Sequence, residues 1–302
     1  MRLRERLQGV IRGNILIEEP LSHHTYFRIG GPAEVMIYPA DLEDLKVLLK
    51  VARDESVPVL VLGGGSNMLV LDGGVEGVVI NLSRTFLELS AIDGLIRCGA
   101  GVRTSRLLAL SARNGLTGFE GLTGVPGTVG GAILGNAGTP SGTIVDHLVW
   151  IGLVDCWGEE RLLQREEMSV SYRNCDLPTG AVVVEAAFTL RKGAPVEIRR
   201  TISRLLVRRN LTQPMEFRSA GCIFKNPPGD FAGRLVELAG LKGLRRGAAQ
   251  ISDRHGNFIV NLGGATASDV LWLVDRAGTE VRANTGVALE PEIRVVGSPI
   301  AR

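Results

Sequence analysis

The chain has 302 residues, 45% of them hydrophobic, which is enough to bury sizeable cores in two or three domains. Its 34 Lys and Arg nearly balance its 32 Asp and Glu, and a net charge of +2 gives no electrostatic reason to expect a nucleic acid partner. No secretion signal and no apolar run of about 18 residues is visible, so we expect no membrane partner.

The four cysteines form no Cys-x-x-Cys pair and have no histidine at zinc-site spacing. This usage is typical of reduced thiols in a cytoplasmic protein. We therefore predict a cytoplasmic location and no bound metal.

The first part of the chain predicts a strand, a helix and a second strand. After an amphipathic opening helix (Leu3, Leu7, Val10, Ile11), a strand is expected over 33–38, and Asp41 can cap a helix whose leucines recur every three or four residues. Val59–Leu62 is the second strand, and Gly63-Gly64-Gly65 follows at its carboxyl end, where such sheets hold ligands.

The middle of the chain changes to short strands. Val78–Leu82 and Leu95–Cys98 are predicted strands, and Thr104 is expected to cap the next helix. Further strands are expected over 148–156 and 181–191. A helix is expected over 197–210, with Ile198, Ile202, Leu205 and Leu206 facing inward and its arginines facing solvent.

Pro214 begins the last predicted domain, with helices over 229–239 and 268–282 and strands over 258–261 and 293–296. With a second boundary near Asn81, these patterns divide the chain into residues 1–81, 82–210 and 211–302.

The stretch Gly121–Gly138 contains seven glycines and no charged residue. Glycines let backbone N–H groups approach a phosphate or a flat ring, and successive N–H groups form an anion-binding concavity. The other interpretation is a glycine-rich turn between core strands. The earlier cluster, Gly63-Gly64-Gly65, fits neither the Rossmann nor the Walker pattern, because Met68 stands where a third Rossmann glycine belongs and no Gly-Lys-Ser/Thr follows.

The two clusters together, Leu62-Gly-Gly-Gly-Ser-Asn67 and Gly121-Leu-Thr-Gly-Val-Pro-Gly-Thr-Val-Gly-Gly131 with Asn136-Ala137-Gly138, resemble the flavin-binding region of the p-cresol methylhydroxylase and vanillyl-alcohol oxidase type. The resemblance implies an α+β fold in which two FAD-binding subdomains (1–81 and 82–210) precede a C-terminal α+β substrate domain (211–302). It also implies FAD contacts from Gly63, Gly64, Gly65, Ser66, Asn67, Gly121, Gly127, Gly130, Gly131, Asn136, Ala137 and Gly138.

Three later motifs narrow the resemblance to one family. Ser171-Tyr-Arg173, Ala220-Gly-Cys-Ile-Phe-Lys-Asn-Pro227 and Leu289-Glu-Pro-Glu-Ile-Arg294 follow in the order seen in the UDP-N-acetylenolpyruvoylglucosamine reductases, in their shorter class without an extra substrate-domain segment. The resemblance implies that NADPH reduces FAD and leaves, and that UDP-N-acetylglucosamine enolpyruvate is then reduced to UDP-N-acetylmuramate, a peptidoglycan precursor.

Three residues would carry that chemistry. Arg173 suits the substrate carboxylate, because its planar fork of donors matches a carboxylate. Glu292, if protonated, would help to stabilise the enolate. The family's proton-donating serine is Cys222 here, and a thiol with an ordinary pKa of about 8.5 is a better acid than an alcohol.

Alternatives stay open at the level of single residues and of function. Cys222 is also compatible with a small buried hydrophobe, Arg173 with a surface arginine and Glu292 with a salt bridge. The resemblance also implies contacts to the substrate or to the nicotinamide nucleotide from Tyr172, Lys225, Asn226 and His255, and His255 is equally compatible with a structural role. A flavin oxidase or dehydrogenase of alcohols or hydroxy acids, or a non-enzymatic nucleotide-binding module, would use the same glycines. The oligomeric state is not predicted.

Overall fold

The computed structural model describes residues 2–300 of the chain, with side chains from residue 5 onward. Within this range the chain divides into two compact units. The first unit holds residues up to 17, 35–64 and 77–207, and the second holds 18–34, 65–76 and 208 onward. The first glycine cluster is therefore divided, because Gly64 ends one segment of the first unit and Gly65 begins a segment of the second.

Seven α-helices occur among the described residues. They are α1 (Arg2–Val10), α2 (Leu42–Asp54), α3 (Thr104–Arg113), α4 (Val129–Leu134), α5 (Pro195–Thr212), α6 (Ala232–Leu238) and α7 (Ala267–Thr285). None of the helices within residues 2–300 combines the length and the apolar character needed to cross a bilayer.

The strands between these helices are mostly short. They are β1 (Asn14–Pro20), β2 (Pro32–Tyr38), β3 (Val59–Leu62), β4 (Met68–Val70), β5 (Val75–Asn81), β6 (Leu89–Ile92), β7 (Leu95–Gly99), β8 (Leu116–Thr117), β9 (Gly138–Thr139), β10 (Gly142–Thr143), β11 (Leu148–Val154), β12 (Glu160–Gln164), β13 (Val170–Ser171), β14 (Asn174–Cys175), β15 (Val182–Thr189), β16 (Arg191–Lys192), β17 (Arg245–Arg246), β18 (Ala249–Ile251), β19 (Ile259–Asn261) and β20 (Arg294–Val296).

A four-stranded sheet has the order β1-β2-β5-β3, and β3 runs parallel to β5 with Val59 opposite Val78 and Leu62 opposite Asn81. Helix α2 packs its leucines into the same core as β2 and β5. Asp41 caps α2 as predicted, since its carboxylate accepts the N–H of Asp44 at 2.9 Å. Fully burying each of these leucines contributes about 1.5–3 kcal/mol.

The first unit also contains a five-stranded antiparallel sheet of order β12-β11-β15-β7-β6. Its apolar face packs with α3 and α4 into a separate core that includes Phe119 and Phe188, whose rings meet edge to face at 5.2 Å. Because α4 lies inside the glycine-dense stretch, Val129 and Ile133 anchor that stretch in this core.

The second unit has its own core, formed by α6, α7 and the strands β18 and β19. The sheet β17-β18-β19 is antiparallel, and β20 pairs in parallel with β4, Arg294 opposite Met68. A capping box between Thr266 and Asp269 precedes helix α7. The helix ends at Thr285, and Gly286 caps it with a φ of 74°, the left-handed conformation that glycine adopts most readily.

Two predictions from the sequence are wrong in detail. Arg103, not Thr104, is the N-cap of α3, and the Thr104 hydroxyl instead donates to the carbonyl of Val125 at 2.6 Å. On α5 Ile198 is buried, but Leu206 is 43% exposed. With 3.6 residues per turn, position 206 lies about 80° further round the helix than Ile198, towards solvent.

Candidate active site

In the first unit the two glycine-rich segments lie against each other. A Cβ placed on Gly64 would lie 2.7 Å from the Cα of Gly127, and one placed on Gly63 would overlap the Thr128 hydroxyl. Side chains are therefore excluded from Gly63 and Gly64 by backbone and by a buried threonine. The sequence predicts a functional role for both clusters, and the structure brings their first-unit parts together.

Several backbone donors of these two segments have no acceptor among the described residues. Among the hydrogen bonds that the structure describes for residues 2–300, none uses the N–H of Gly63, Gly64, Gly127 or Thr128. The three glycines are partly exposed. A set of N–H groups from two adjacent loops, free of side chains, suits the phosphate oxygens of a dinucleotide.

The second glycine stretch continues into Asn136, which has a left-handed backbone (φ 38°) and is 9% exposed. Its amide Nδ2 donates to the carbonyl of Ser171 at 3.0 Å, whereas its Oδ1 is buried with no hydrogen-bond partner among the described residues. A buried acceptor without a donor is costly, so a donor from a bound molecule would satisfy Asn136.

Tyr172 and Arg173 form the turn between β13 and β14, next to this stretch. The Arg173 Nη1 donates to the carbonyl of Gly138 at 3.1 Å, and its guanidinium carbon lies 5.4 Å from the centre of the Tyr172 ring. Arg173 has a φ of 58°, a conformation that an arginine adopts only where its surroundings impose it. The pair predicted from the sequence is therefore held beside Asn136 and Gly138.

Gly121 and Gly138 have a packing reason to be glycine, because a Cβ on either would overlap the backbone of residues 142–143. A Cβ on Gly130 would lie 3.0 Å from the Ala100 side chain, and Gly131 is exposed with room for one. These positions stay predictions as cofactor contacts, and so does Ala137.

The rest of the first glycine cluster belongs to the second unit. The carbonyl of Gly65 accepts the N–H of Tyr26 at 2.9 Å, and its φ of 61° is left-handed. The Asn67 side chain donates to the carbonyl of Glu292 at 3.0 Å, and the N–H of Arg294 donates to the Asn67 carbonyl at the same distance. Gly65, Ser66 and Asn67 thus lie on the strand-β4 side, and Asn67 is joined to the predicted catalytic glutamate.

Cys222 and Glu292 lie on adjacent extended segments of the second unit. The N–H of Glu292 donates to the carbonyl of Ile223 at 2.7 Å, and Phe224 forms an isolated antiparallel bridge with Pro291. On the other edge Cys222 forms a bridge with Phe258. Cys222 and Glu292 are both half-buried. The segments that carry the predicted proton donor and the predicted carboxyl group are therefore paired, although they are far apart in sequence; the proximity of the two side chains stays a prediction.

The predicted substrate residues of the second unit have protein partners. Lys225 Nζ pairs with the Glu290 carboxylate at 2.5 Å, and the Asn226 Oδ1 accepts the N–H of Ala232 at 3.0 Å, at the start of α6. His255 accepts the N–H of Asn257 through Nδ1 at 3.2 Å. Burial, and next the charge of Lys242, lower the pKa of His255 below its usual value. A neutral His255 follows near pH 7.

Arg173 belongs to the first unit, and Cys222 and Glu292 belong to the second. That the three share one cavity stays a prediction. Sequence reasoning missed Asn257, a buried residue whose side chain bonds to both the N–H and the carbonyl of Phe224. The stretch His255-Gly-Asn-Phe258 was available as a signal, but it names no role for the asparagine. No group of residues suited to hold a metal ion occurs in the described part of the chain.

Two family models match the chain. Residues 33–163 match the FAD binding domain model, and residues 213–296 match the C-terminal domain model of UDP-N-acetylenolpyruvoylglucosamine reductase. The chain is 45% identical over 284 residues to a UDP-N-acetylenolpyruvoylglucosamine reductase from Syntrophobacter fumaroxidans, covering 92% of this chain and 82% of the relative. The chain belongs to the UDP-N-acetylenolpyruvoylglucosamine reductase family.

Solved structures extend this result. A reductase of the family from Thermus caldophilus has a TM-score of 0.80 and 40% sequence identity, over 95% of this chain and all of that one. Physcomitrella patens BBE-like 1 is 18% identical with a TM-score of 0.51 over 63% of this chain and 44% of that one, which shows a shared fold alone. The predicted α+β flavin-binding fold is confirmed, and in this reductase family it is followed by a C-terminal domain of its own.

The residues present fit the cofactor of the family. Two adjacent glycine segments with unused N–H groups provide donors for a diphosphate, and Asn136 provides a buried acceptor. Gly63, Gly64 and Gly127 carry no side chains that would obstruct the cofactor.

Proposed function

We propose that this protein is an NADPH-dependent flavoenzyme that reduces UDP-N-acetylglucosamine enolpyruvate to UDP-N-acetylmuramate, in the cytoplasm. The pairing of the Cys222 segment with the Glu292 segment carries the proposal, through the 2.7 Å bond from the Glu292 N–H to the Ile223 carbonyl. This backbone pairing supports a proposal in which the Cys222 thiol and the Glu292 carboxyl group act together, in a domain that matches the reductase family. Membership of the family supports the choice of substrate and of reductant.

Bound FAD would supply the hydride, and Gly63, Gly64, Gly127, Thr128 and Asn136 would hold it. Hydride addition to the outer carbon of the enol ether leaves negative charge on the inner carbon and its carboxylate. The role of the protein is to bind that carboxylate, to stabilise the charge and to deliver one proton to the inner carbon.

Arg173 would bind the carboxylate through its guanidinium, which the Gly138 carbonyl and the Tyr172 ring hold beside the second glycine stretch. Glu292, if protonated, would donate a hydrogen bond to the enolate oxygen. Cys222 would donate its proton to the inner carbon, which completes the lactyl ether, and the thiolate would regain a proton from solvent. Lys225 would meet the diphosphate of the nucleotide sugar once its partner Glu290 releases it.

Because NADPH and the nucleotide sugar use the flavin in turn, the reaction would be ping-pong. The test is an anaerobic visible spectrum of the purified protein. We expect a yellow protein whose absorbance near 450 nm, the usual flavin band, is bleached by NADPH and restored by the enolpyruvyl nucleotide, with UDP-N-acetylmuramate as product. Bleaching by NADPH without recovery on adding the nucleotide, or bleaching of the oxidised flavin by an alcohol in place of NADPH, would exclude this function.

A further inference from the structure

Asn257 holds the residues that follow Cys222. Its side chain is 2% exposed, its Oδ1 accepts the N–H of Phe224 at 2.9 Å, and its Nδ2 donates to the carbonyl of Phe224 at 2.8 Å. Its own carbonyl accepts the N–H of Ile223 at 2.9 Å. One asparagine therefore makes three hydrogen bonds to two consecutive residues of this segment.

The side-chain amide of Asn257 can take the place of a neighbouring strand beside Phe224, because it carries one hydrogen-bond acceptor and one donor in the same plane. The pair of bonds to Phe224 repeats the exchange between opposed residues of an antiparallel ladder. Aspartate lacks the donor, and a shorter side chain reaches neither group. Since Phe224 is buried, either change leaves a buried backbone group unsatisfied.

The opposite edge of the segment is bound as well. The Ile223 carbonyl accepts the N–H of Glu292 at 2.7 Å, and the N–H of Lys225 donates to the Glu290 carbonyl at 2.8 Å. Residues 223–225 thus have partners on both edges, and Asn257 supplies those on one edge. The conformation of the chain directly after Cys222 depends on this amide.

We propose that Asn257 is a positioning residue that sets where the Cys222 thiol lies relative to Glu292, without touching the substrate. The proposal rests on the proposed function, in which Cys222 delivers a proton. Proton transfer requires heavy atoms about 2.6–3.2 Å apart, and a displacement of about 1 Å can slow such a step roughly 100-fold. Reduction of the flavin by NADPH does not use the Cys222 proton, so a displaced thiol would slow only the second half of the reaction.

The test compares Asn257→Asp with Asn261→Asp, both as flavin-loaded full chains. Asn261 is a matched control in the same unit, since it is 8% exposed and its amide also bonds backbone, donating to Phe27 O at 3.0 Å and accepting from Gly263 N at 2.9 Å. Stopped-flow spectroscopy measures flavin reduction by NADPH and flavin reoxidation by the enolpyruvyl nucleotide separately. Asn257→Asp should slow reoxidation roughly 10–100-fold and leave reduction within about twofold, whereas Asn261→Asp should alter both rates alike.

Two further measurements keep the proposal separate from stability and from the proposed function. In a Cys222→Ala background, Asn257→Asp should slow reoxidation by no more than about twofold further, because the group that it positions is gone. The alkylation rate of the Cys222 peptide by iodoacetamide, followed by mass spectrometry, should change at least about threefold in Asn257→Asp and stay constant in Asn261→Asp. If Asn257→Asp does not fold, Asn257→Gln, which keeps the donor and the acceptor on a longer side chain, serves in all three measurements.

Equal slowing of both half-reactions by Asn257→Asp, together with an unchanged alkylation rate, would overturn the proposal. Full additivity with Cys222→Ala would overturn it too. If the parent protein is reduced by NADPH but is not reoxidised by the nucleotide, the proposed function fails instead. The alkylation rates would then still decide whether Asn257 positions Cys222.

Discussion

The two units carry different kinds of predicted site residues. The first unit offers backbone N–H groups of Gly63, Gly64, Gly127 and Thr128, on segments whose packing excludes side chains. The second unit offers the side chains of Cys222 and Glu292, on extended segments that pair with each other. Recognition by backbone is damaged when atoms are added, whereas chemistry by side chains is damaged when atoms are removed. Mutations in the two units should therefore fail in distinguishable ways.

Arg173 breaks this division, because it is a side-chain contributor in the first unit, and its loss should have the largest effect in that unit. Arg173→Ala should lower kcat/KM for the enolpyruvyl nucleotide by about 10²–10³-fold, since it removes the donors for the developing charge. The kcat/KM of Arg173→Lys should lie between those of the parent and of Arg173→Ala, because lysine keeps the positive charge and lacks the planar fork of donors.

Separate half-reactions check the assignment of Arg173. The rate of flavin reduction by NADPH should stay near that of the parent in both variants. Equal losses in both half-reactions, with the loss of bound flavin, would mean that Arg173 acts through its bond to the Gly138 carbonyl and supports the glycine stretch alone.

Replacing a glycine of the first unit by alanine should weaken the binding of FAD by the backbone N–H groups. In Gly64→Ala the new Cβ would lie 2.7 Å from the Cα of Gly127. We expect the two glycine segments to shift apart to relieve an overpacking cost of about 1–3 kcal/mol, and regaining the FAD-binding arrangement at that cost corresponds to roughly 5–150-fold weaker FAD binding. The ratio of flavin to protein absorbance after dialysis measures it.

Gly135→Ala is the matched control within the second glycine stretch. Its Cβ would lie 3.5 Å from the Gly131 carbonyl oxygen, an ordinary contact, and its φ of −86° is open to any residue. It should retain the flavin. The prediction for Gly64 is wrong if Gly64→Ala has the same ratio of flavin to protein absorbance after dialysis as Gly135→Ala.

A smaller effect is expected on stability in the second unit. Burial lowers the pKa of His255 in the folded state, so below about pH 6.5 the unfolded chain takes up a proton that the folded chain resists. Stability is therefore present near pH 7.5 and lost as the pH falls through 6.5, by at most about 1.4 kcal/mol per pH unit.

Urea unfolding at pH 7.5 and 5.5 compares the parent with His255→Gln. The parent should lose more free energy of unfolding over this interval than the glutamine variant does. Identical losses in the two proteins would show that His255 does not cause the dependence.

The sequence predicted best what is local. The capping of α2 by Asp41 and the strand Val59–Leu62 follow from residues within a few positions of one another, and both are present. Thr104 shows the limit, because its hydroxyl bonds to Val125, a partner from another segment, and does not cap α3. Leu206 shows the same limit for a helix face that only tertiary packing defines.

The residues of the candidate site could be predicted from the sequence, but the residues that they contact could not. The density of glycine predicted a backbone site, yet the division between Gly64 and Gly65 depends on how the chain packs. Asn257 could not be singled out, since its role requires the Phe224 peptide to lie opposite its amide, and nothing near position 257 encodes that.

The most direct measurement is reoxidation of the NADPH-reduced protein by the enolpyruvyl nucleotide, in the parent, Cys222→Ser and Cys222→Ala. We expect all three to be reduced by NADPH at similar rates. The alanine variant should reoxidise about 10²–10⁴-fold more slowly, and the serine variant should retain part of the activity, because a hydroxyl still has a proton to donate. An alanine variant that reoxidises as fast as the parent would contradict the account.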